Sequence, residues 1–489
     1  VKQDHIIEKI FVEVTVNSKQ KALSIKEDIN SFLSIDVFPE IEKYITALEY
    51  KLGNKTLQIP RLELNLDVNS SSLNIELKNK IAQVFKEELS EVMKPIENSD
   101  QKIERDSKAY FIDNQEKIIQ TFIYFLEKGN MPWWNSETKG TSFLEPSVFK
   151  TLILNKNFPE RIATILPKKN IQERIINQLS DEQIAQLCIS VLTNKELKIN
   201  LNDEVIQSIL KLSPTEKQIV WRLILSVLSE YLYTKNINLR EFVLQKIIQT
   251  ELFPAGLLPK KKNDQRLKTI VNIFSFVKEN EIIEILRKKS EQKSENTEIS
   301  NETIQQKNEK PDEILSHNSE DLGQDNEQYI KNAGLILIHP FIKPFFEHCD
   351  LLHLETQQLT DPELGAHLLH YIATGKTNAP EYEMVFEKFL CNIPMHQSIN
   401  RHIKLSRKHK AHAKNVIESV QHNWNPMKKS SVALLQNEFF QRSGKLAVSD
   451  HDYMLTVEQK TQDILLEKLN WGLGLVKLPW KDKFLFVKW

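Results

Sequence analysis

Residues 289–328 read KSEQKSENTEISNETIQQKNEKPDEILSHNSEDLGQDNEQ, a stretch with no aromatic residue and a large excess of polar ones. Such a segment cannot bury enough apolar surface to offset the entropy of ordering it. It is expected to be a disordered linker, with a charged helix as the alternative. Any hydrophobic core must then lie on one side of it or the other. The expected organisation is a small α/β domain over 1–100, a helical domain over 108–288, the linker, and a helical module over 329–489 that ends in a small α+β sheet element. The fold class is mainly α, with small α/β and α+β parts. A chain of 489 residues has room for about three domains at roughly 100–200 residues each. Its 11 glycines are too few for a large all-β fold full of tight turns.

The N-terminal unit reads strand–helix–strand–helix. HIIEKIFVEVTV (5–16) places Ile10, Val12, Val14 and Val16 on one face, and IPRLELNLDV (59–68) alternates Leu62, Leu64, Leu66 and Val68 with polar residues. Period-two alternation predicts half-buried strands. A helix is expected from Ile75, stopping before Pro95 because proline cannot continue the hydrogen-bond ladder. The central part turns helical. Ser180 with Gln183 and Ser213 with Glu216 have capping-box spacing, and Pro214 suits a first helical position. After the linker, HPFIKPFF (339–346) carries two prolines expected to break regular structure. Helices are expected near 361–373, 381–391, 411–422 and 431–441, then a hairpin from 445–448 and 453–457 around 449–452. A short helix and two strands, 473–478 and 484–489, finish the chain. FIYFLEKG (122–129) and LLHYIATG (368–375) share an apolar pattern with a terminal glycine, the residue that ends helices in the left-handed conformation.

Lys+Arg is 65 and Asp+Glu is 66, a balance that does not mark a protein built globally for nucleic acid. Cys188, Cys349 and Cys391 form no disulfide framework and fit a reducing compartment. The N-terminus shows no signal peptide, and no apolar run approaches the ~20 residues of a membrane helix. Phosphate loop, G-x-S-x-G, H-E-x-x-H and paired Cys-x-x-Cys motifs are missing from the sequence, so no catalytic residue, cofactor, metal or small-molecule substrate is assigned. His367 and His370 could share a helix face, and His348, Cys349 and His353 lie close in sequence. Ordinary core or surface histidines remain the default, because nothing makes these groups converge.

Two groups of residues are candidates for binding. Trp133 and Trp134 in MPWW, with Trp480 and Trp489 near the end, are of the type enriched at protein interfaces, although core packing is the commoner fate of tryptophan. Arg401, Lys404, Arg407, Lys408, Lys410 and Lys414 form a dense basic run over 401–414. It could face phosphates or an acidic protein. No aromatic interleaves it, which leaves base stacking unsupported.

Taken in chain order, several segments resemble the tape measure protein family of bacterial contractile injection systems, which are phage-tail-like particles. They are HIIEKIFVEVTV with IPRLELNLDV, FIYFLEKGNMPWW, ERIINQLSDEQIAQL (173–187), NAGLILIHPFIKPFFEHCDLL (332–352), HLLHYIATG (367–375), FEKFLCNIP (386–394) and WGLGLVKLPWKDKFLFVKW (471–489). The resemblance implies a structural assembly protein, not an enzyme, that helps set inner-tube length. The implied partners are the inner tube, baseplate or spike, and cap proteins, with homo-oligomerisation left open. The implied location is the cytoplasm or the assembled particle. The alternative is a helical adaptor or scaffold binding another ligand, such as nucleic acid through 401–414.

Overall fold

The structure, a computed structural model, describes residues 5–52, 55–67, 73, 75–97, 110–135, 142–193, 197, 199–234, 238–250, 252–253, 264–298 and 327–489. They divide into two compact units, Val1–Phe122 with Pro132–Thr141, and Ile123–Met131 with Ser142–Trp489.

The first unit contains α1 (Lys19–Phe32), α2 (Phe38–Leu52), β1 (Lys55–Gln58), α3 (Ile75–Glu97) and β2 (Tyr110–Asp113). Phe32, Val37, Ile41, Phe85, Leu89 and Met93 form its core, and Leu62 and Leu64 pack on it. The ladder pairs β1 antiparallel with β2, from Lys55↔Asp113 to Gln58↔Tyr110. Neither 5–16 nor 59–67 is paired as a strand among the described residues. Alternation over 61–67 does give the right faces: Arg61, Glu63, Asn65 and Asp67 are exposed, while the leucines between them are half-buried. Alternation reports which side chains face a core, but a strand also needs a neighbour for its backbone groups. The helix expected to stop before Pro95 runs on to Glu97. A proline so near the C-terminal end removes only one bond of the ladder.

The division between the units falls within α4 (Asn114–Lys128). The second unit continues with α5 (Pro146–Ile153), α6 (Phe158–Ile165), α7 (Lys169–Gln178), α8 (Asp181–Leu192), α9 (Asp203–Leu210), α10 (Pro214–Tyr233), α11 (Leu239–Gln249), α12 (Gln265–Ile273) and α13 (Glu279–Glu298). Both expected capping boxes form, at Ser180–Gln183 and Ser213–Glu216. The α10 stripe Val220, Leu223, Ile224, Val227 and Leu228 is buried. Because α13 reaches Glu298, residues 289–298 of the expected linker are helical. Residues 299–326 lie outside the described residues, and that part of the linker reading with them.

The C-terminal part follows with β3 (Glu327–Ile330), a 3-10 turn over Ala333–Ile338, α14 (His339–His348), α15 (Pro362–Thr374), α16 (Val385–Leu390), α17 (Arg407–Asn423), α18 (Val432–Leu435), β4 (Gly444–Val448), β5 (Tyr453–Val457), a 3-10 helix over Thr461–Lys468, β6 (Leu475–Val476) and β7 (Leu485–Lys488). The sheet order is β3-β4-β5-β7-β6; β5 and β7 are parallel and the other pairs antiparallel. The helices and the inner sheet face close over one core that includes Leu337, Phe346, Leu369, Phe386, Trp424, Phe440, Leu446 and Leu455. HPFIKPFF does not break the chain. Pro340 sits in the first turn of α14, where no amide donor is needed, and Pro344 lies inside the helix. Burial of Ile342, Phe345 and Phe346 holds that helix together across the missing bond. Gly129 and Gly375 follow α4 and α15 with φ of 82° and 71°, the helix-ending conformation expected of them. Gly334 serves a different need, since a Cβ there would fall 1.6 Å from the Phe439 carbonyl oxygen.

Candidate interaction sites

A buried charged seam joins the central helices to the C-terminal part of the second unit. Arg174, on α7, is fully buried. Its Nε donates to Glu381 Oε2 at 3.1 Å, Nη1 to the Leu126 carbonyl at 2.6 Å and Nη2 to the His396 carbonyl at 2.7 Å. Glu381 lies just before α16, and its Oε1 accepts from Lys388 Nζ at 2.5 Å. Lys388 also donates to the carbonyls of Met395 at 3.1 Å and Gln397 at 2.6 Å. Gln178 completes the crossing: its Oε1 accepts from the Glu381 amide at 2.9 Å and its Nε2 donates to the Ile399 carbonyl at 2.7 Å. Tyr382 packs on Phe125 and Phe143 and shares a 2.9 Å hydrogen bond with Ser142. Burial pushes its phenol up to about 12. Burial also lowers the Lys388 amine, against the opposing pull of Glu381. All three Nζ donors of Lys388 are engaged, so the amine is held as a clamp and is not poised as a nucleophile.

The sequence-selected histidines do not converge. His367 Nε2 is 2.8 Å from the Asn400 carbonyl, and burial pushes its pKa down. His370 Nδ1 lies 2.8 Å from Glu387 Oε1, which also accepts from Asn332 Nδ2 at 2.7 Å. Among the described residues no group of three His, Cys, Asp or Glu side chains is arranged to hold a metal.

The tryptophans separate by position. Trp133 and Trp134 are half-buried in the first unit, with their rings T-shaped at 5.8 Å. Trp480 is a core residue: it packs on Phe346 and its Nε1 donates to the Leu390 carbonyl at 2.7 Å, which removes it as a surface anchor. Trp489 is half-buried and tied to Asp463 Oδ2 at 3.1 Å. The basic run is divided between the seam and α17. Arg401 is turned into the seam, where its Nε donates to the Asn378 carbonyl at 2.8 Å and its amide to the Asn177 carbonyl at 3.0 Å. Lys404 is exposed ahead of α17. On α17, Arg407 is exposed, Lys408 pairs with Asp350 at 3.6 Å, Lys410 lies over Tyr371 and Lys414 pairs with Glu418 at 3.3 Å.

The outer face of the C-terminal sheet is a surface that sequence reasoning did not select. Tyr453, Leu455 and Val457 point into the core, which turns Met454 and Thr456 outward. The register sets Met454 beside Phe486, and Phe486 beside Leu475. These three are 52%, 42% and 52% exposed, so an apolar row crosses β5, β7 and β6 open to solvent. Phe484, 46% exposed, precedes it on the same side, with Lys477 Nζ 5.3 Å from its ring centroid. Lys488, two residues beyond Phe486, shares this face and is exposed.

The contractile injection system tape measure protein family model matches residues 4–489. The chain belongs to that family. The tape measure family assigns it a structural role in a contractile injection system. Comparison with curated proteins and with solved structures gives no match. Several segments by which this tape measure chain resembles its family are core-forming: 332–352 supplies Leu337 and Phe346, and 386–394 supplies Phe386 and Leu390. No helix among the described residues is long and apolar enough to cross a membrane.

Proposed function

We propose that this tape measure protein organises assembly of the inner tube and helps set its length, acting by binding particle components and not by catalysis. The carrying observation is the family match over residues 4–489. The proposed partners are the inner tube, baseplate or spike, and cap proteins, met in the cytoplasm or in the particle. A rod-like ruler made of the whole chain does not fit two units with closed cores: fully helical, 489 residues would span roughly 730 Å at ~1.5 Å per residue. The alternative, an adaptor binding through 401–414, would have to use the remaining basic residues, because Arg401 is engaged by the Asn378 carbonyl.

Negative-stain length histograms test the reading. Deleting the gene should reduce particle number or broaden the length distribution; a normal histogram would sink the assembly role. Duplicating residues 299–326 separates measuring from organising. If that segment measures, particles should lengthen by up to roughly 90–100 Å, at ~3.3–3.6 Å per residue, with a narrow distribution. An unchanged histogram assigns the length role to the folded units.

A further inference from the structure

The outer face of the C-terminal sheet has the build of a docking surface. Its centre is Phe486, flanked across adjacent strands by Met454 and Leu475. At a strand spacing of ~4.8 Å the row extends about 10 Å, the size of a few side chains from one bound segment. The margins are basic. Lys477 and Lys488 carry no carboxylate partner among the described residues, since Lys477 Nζ donates to the backbone carbonyl of Asp482 at 2.7 Å. Lys445, on the neighbouring row, is already paired with Glu327 at 2.5 Å. The face thus offers apolar contact at its middle and two uncompensated ammonium groups at its edges.

We propose that this face docks an acidic segment of a partner polypeptide, in which apolar side chains fill the Met454–Phe486–Leu475 row and carboxylates meet Lys477 and Lys488. This rests on the assembly reading above and names the kind of partner that reading requires. A second copy fits less well. Within the five strands the carboxylate, Glu327, is already engaged by Lys445, so face-to-face pairing of two copies brings no free strand carboxylate to Lys477 and Lys488. Single-stranded nucleic acid also fits less well: two of the three central side chains, Met454 and Leu475, have no ring on which a base can stack.

The test uses the full chain and a fluorescent octapeptide alternating glutamate with leucine or phenylalanine. Its counterpart carries lysine in place of glutamate. The acidic peptide should bind, and Phe486→Ser should weaken it by about tenfold or more, as loss of a central anchor does. Because Phe486 is exposed, the variant should keep its melting temperature. Lys477→Glu with Lys488→Glu should also weaken the acidic peptide and should gain affinity for the lysine peptide. Equal binding of both peptides by the wild type would overturn the proposal, as would acidic-peptide binding indifferent to Phe486→Ser. So would preferential binding of oligodeoxythymidylate, or a dimer in sedimentation that Phe486→Ser abolishes. The assembly role fails separately: a gene deletion that leaves particles normal sinks that role whatever the peptides do.

Discussion

Arg174, Glu381 and Lys388 together bury two positive charges and one negative one, with exposures of 0%, 0% and 1%. A buried ion pair adds little net stability over a well-packed apolar one, yet removing one partner strands a charge that costs about 3–5 kcal/mol. Glu381→Gln should therefore lower the unfolding free energy by about that amount in urea titrations; a loss below 1 kcal/mol would show that Arg174 and Lys388 are satisfied by carbonyls alone. Lys481 offers a pH-dependent counterpart. Its Nζ lies 3.8 Å from the Phe389 ring centroid and 4.9 Å from that of Tyr453, and burial pushes its amine down to about 8. The unfolded amine titrates near ~10.4. Below pH 8 both states are protonated and the cost of burying the charge is fully present. Between about pH 8 and 10 the unfolded chain binds more protons, so stability rises with pH. Lys481→Met removes this contribution. The stability of wild type relative to the variant should rise by about 1–3 kcal/mol from pH 7 to pH 10, and a flat difference would contradict the assignment.

Among the elements, α14 is held against its own sequence. Pro344 is exposed inside it, giving up a ladder bond without contributing to the core. Pro344→Ala should restore the donor and raise stability by about 1–2 kcal/mol, after allowance for the freer unfolded chain; thermal melts that fall would show the proline has a packing role. The same helix shows why reading proline as a breaker failed, as it also failed at Pro95. A local rule counts hydrogen bonds along the chain, whereas Phe345 and Phe346 are fixed by partners elsewhere. Local chemistry was legible where it is complete in itself: the two capping boxes, the glycines after α4 and α15, and the β4–β5 hairpin around 449–452. The pairing of β7 between β5 and β6 was not, because a parallel neighbour leaves no turn signal. The seam was hidden for a related reason: Arg174 and Glu381 are 207 positions apart. Its one visible clue was Glu387-Lys388 inside the otherwise apolar run of α16. The exposed sheet row becomes legible only once register places Met454, Phe486 and Leu475 side by side.

At the scale of the whole molecule, the helices α5–α13 and the module after 326 are parts of one compact unit, with the seam between them. A protease site engineered between 299 and 326 should give two fragments that still co-elute in gel filtration under native conditions. Arg174→Met should let them separate; fragments that part without the substitution would show the seam is too weak to hold them. The sheet order has a consequence for the timing of synthesis. The chain makes β5, then β6, then β7, but in space β7 stands between the other two. Until residues 485–488 have left the ribosome, β6 has no strand to lie against and the inner side chain of β5, Leu455, lacks its final neighbour. β6 and β7 therefore join the sheet together, and the Met454–Phe486–Leu475 row is put in place in that single late step and not strand by strand.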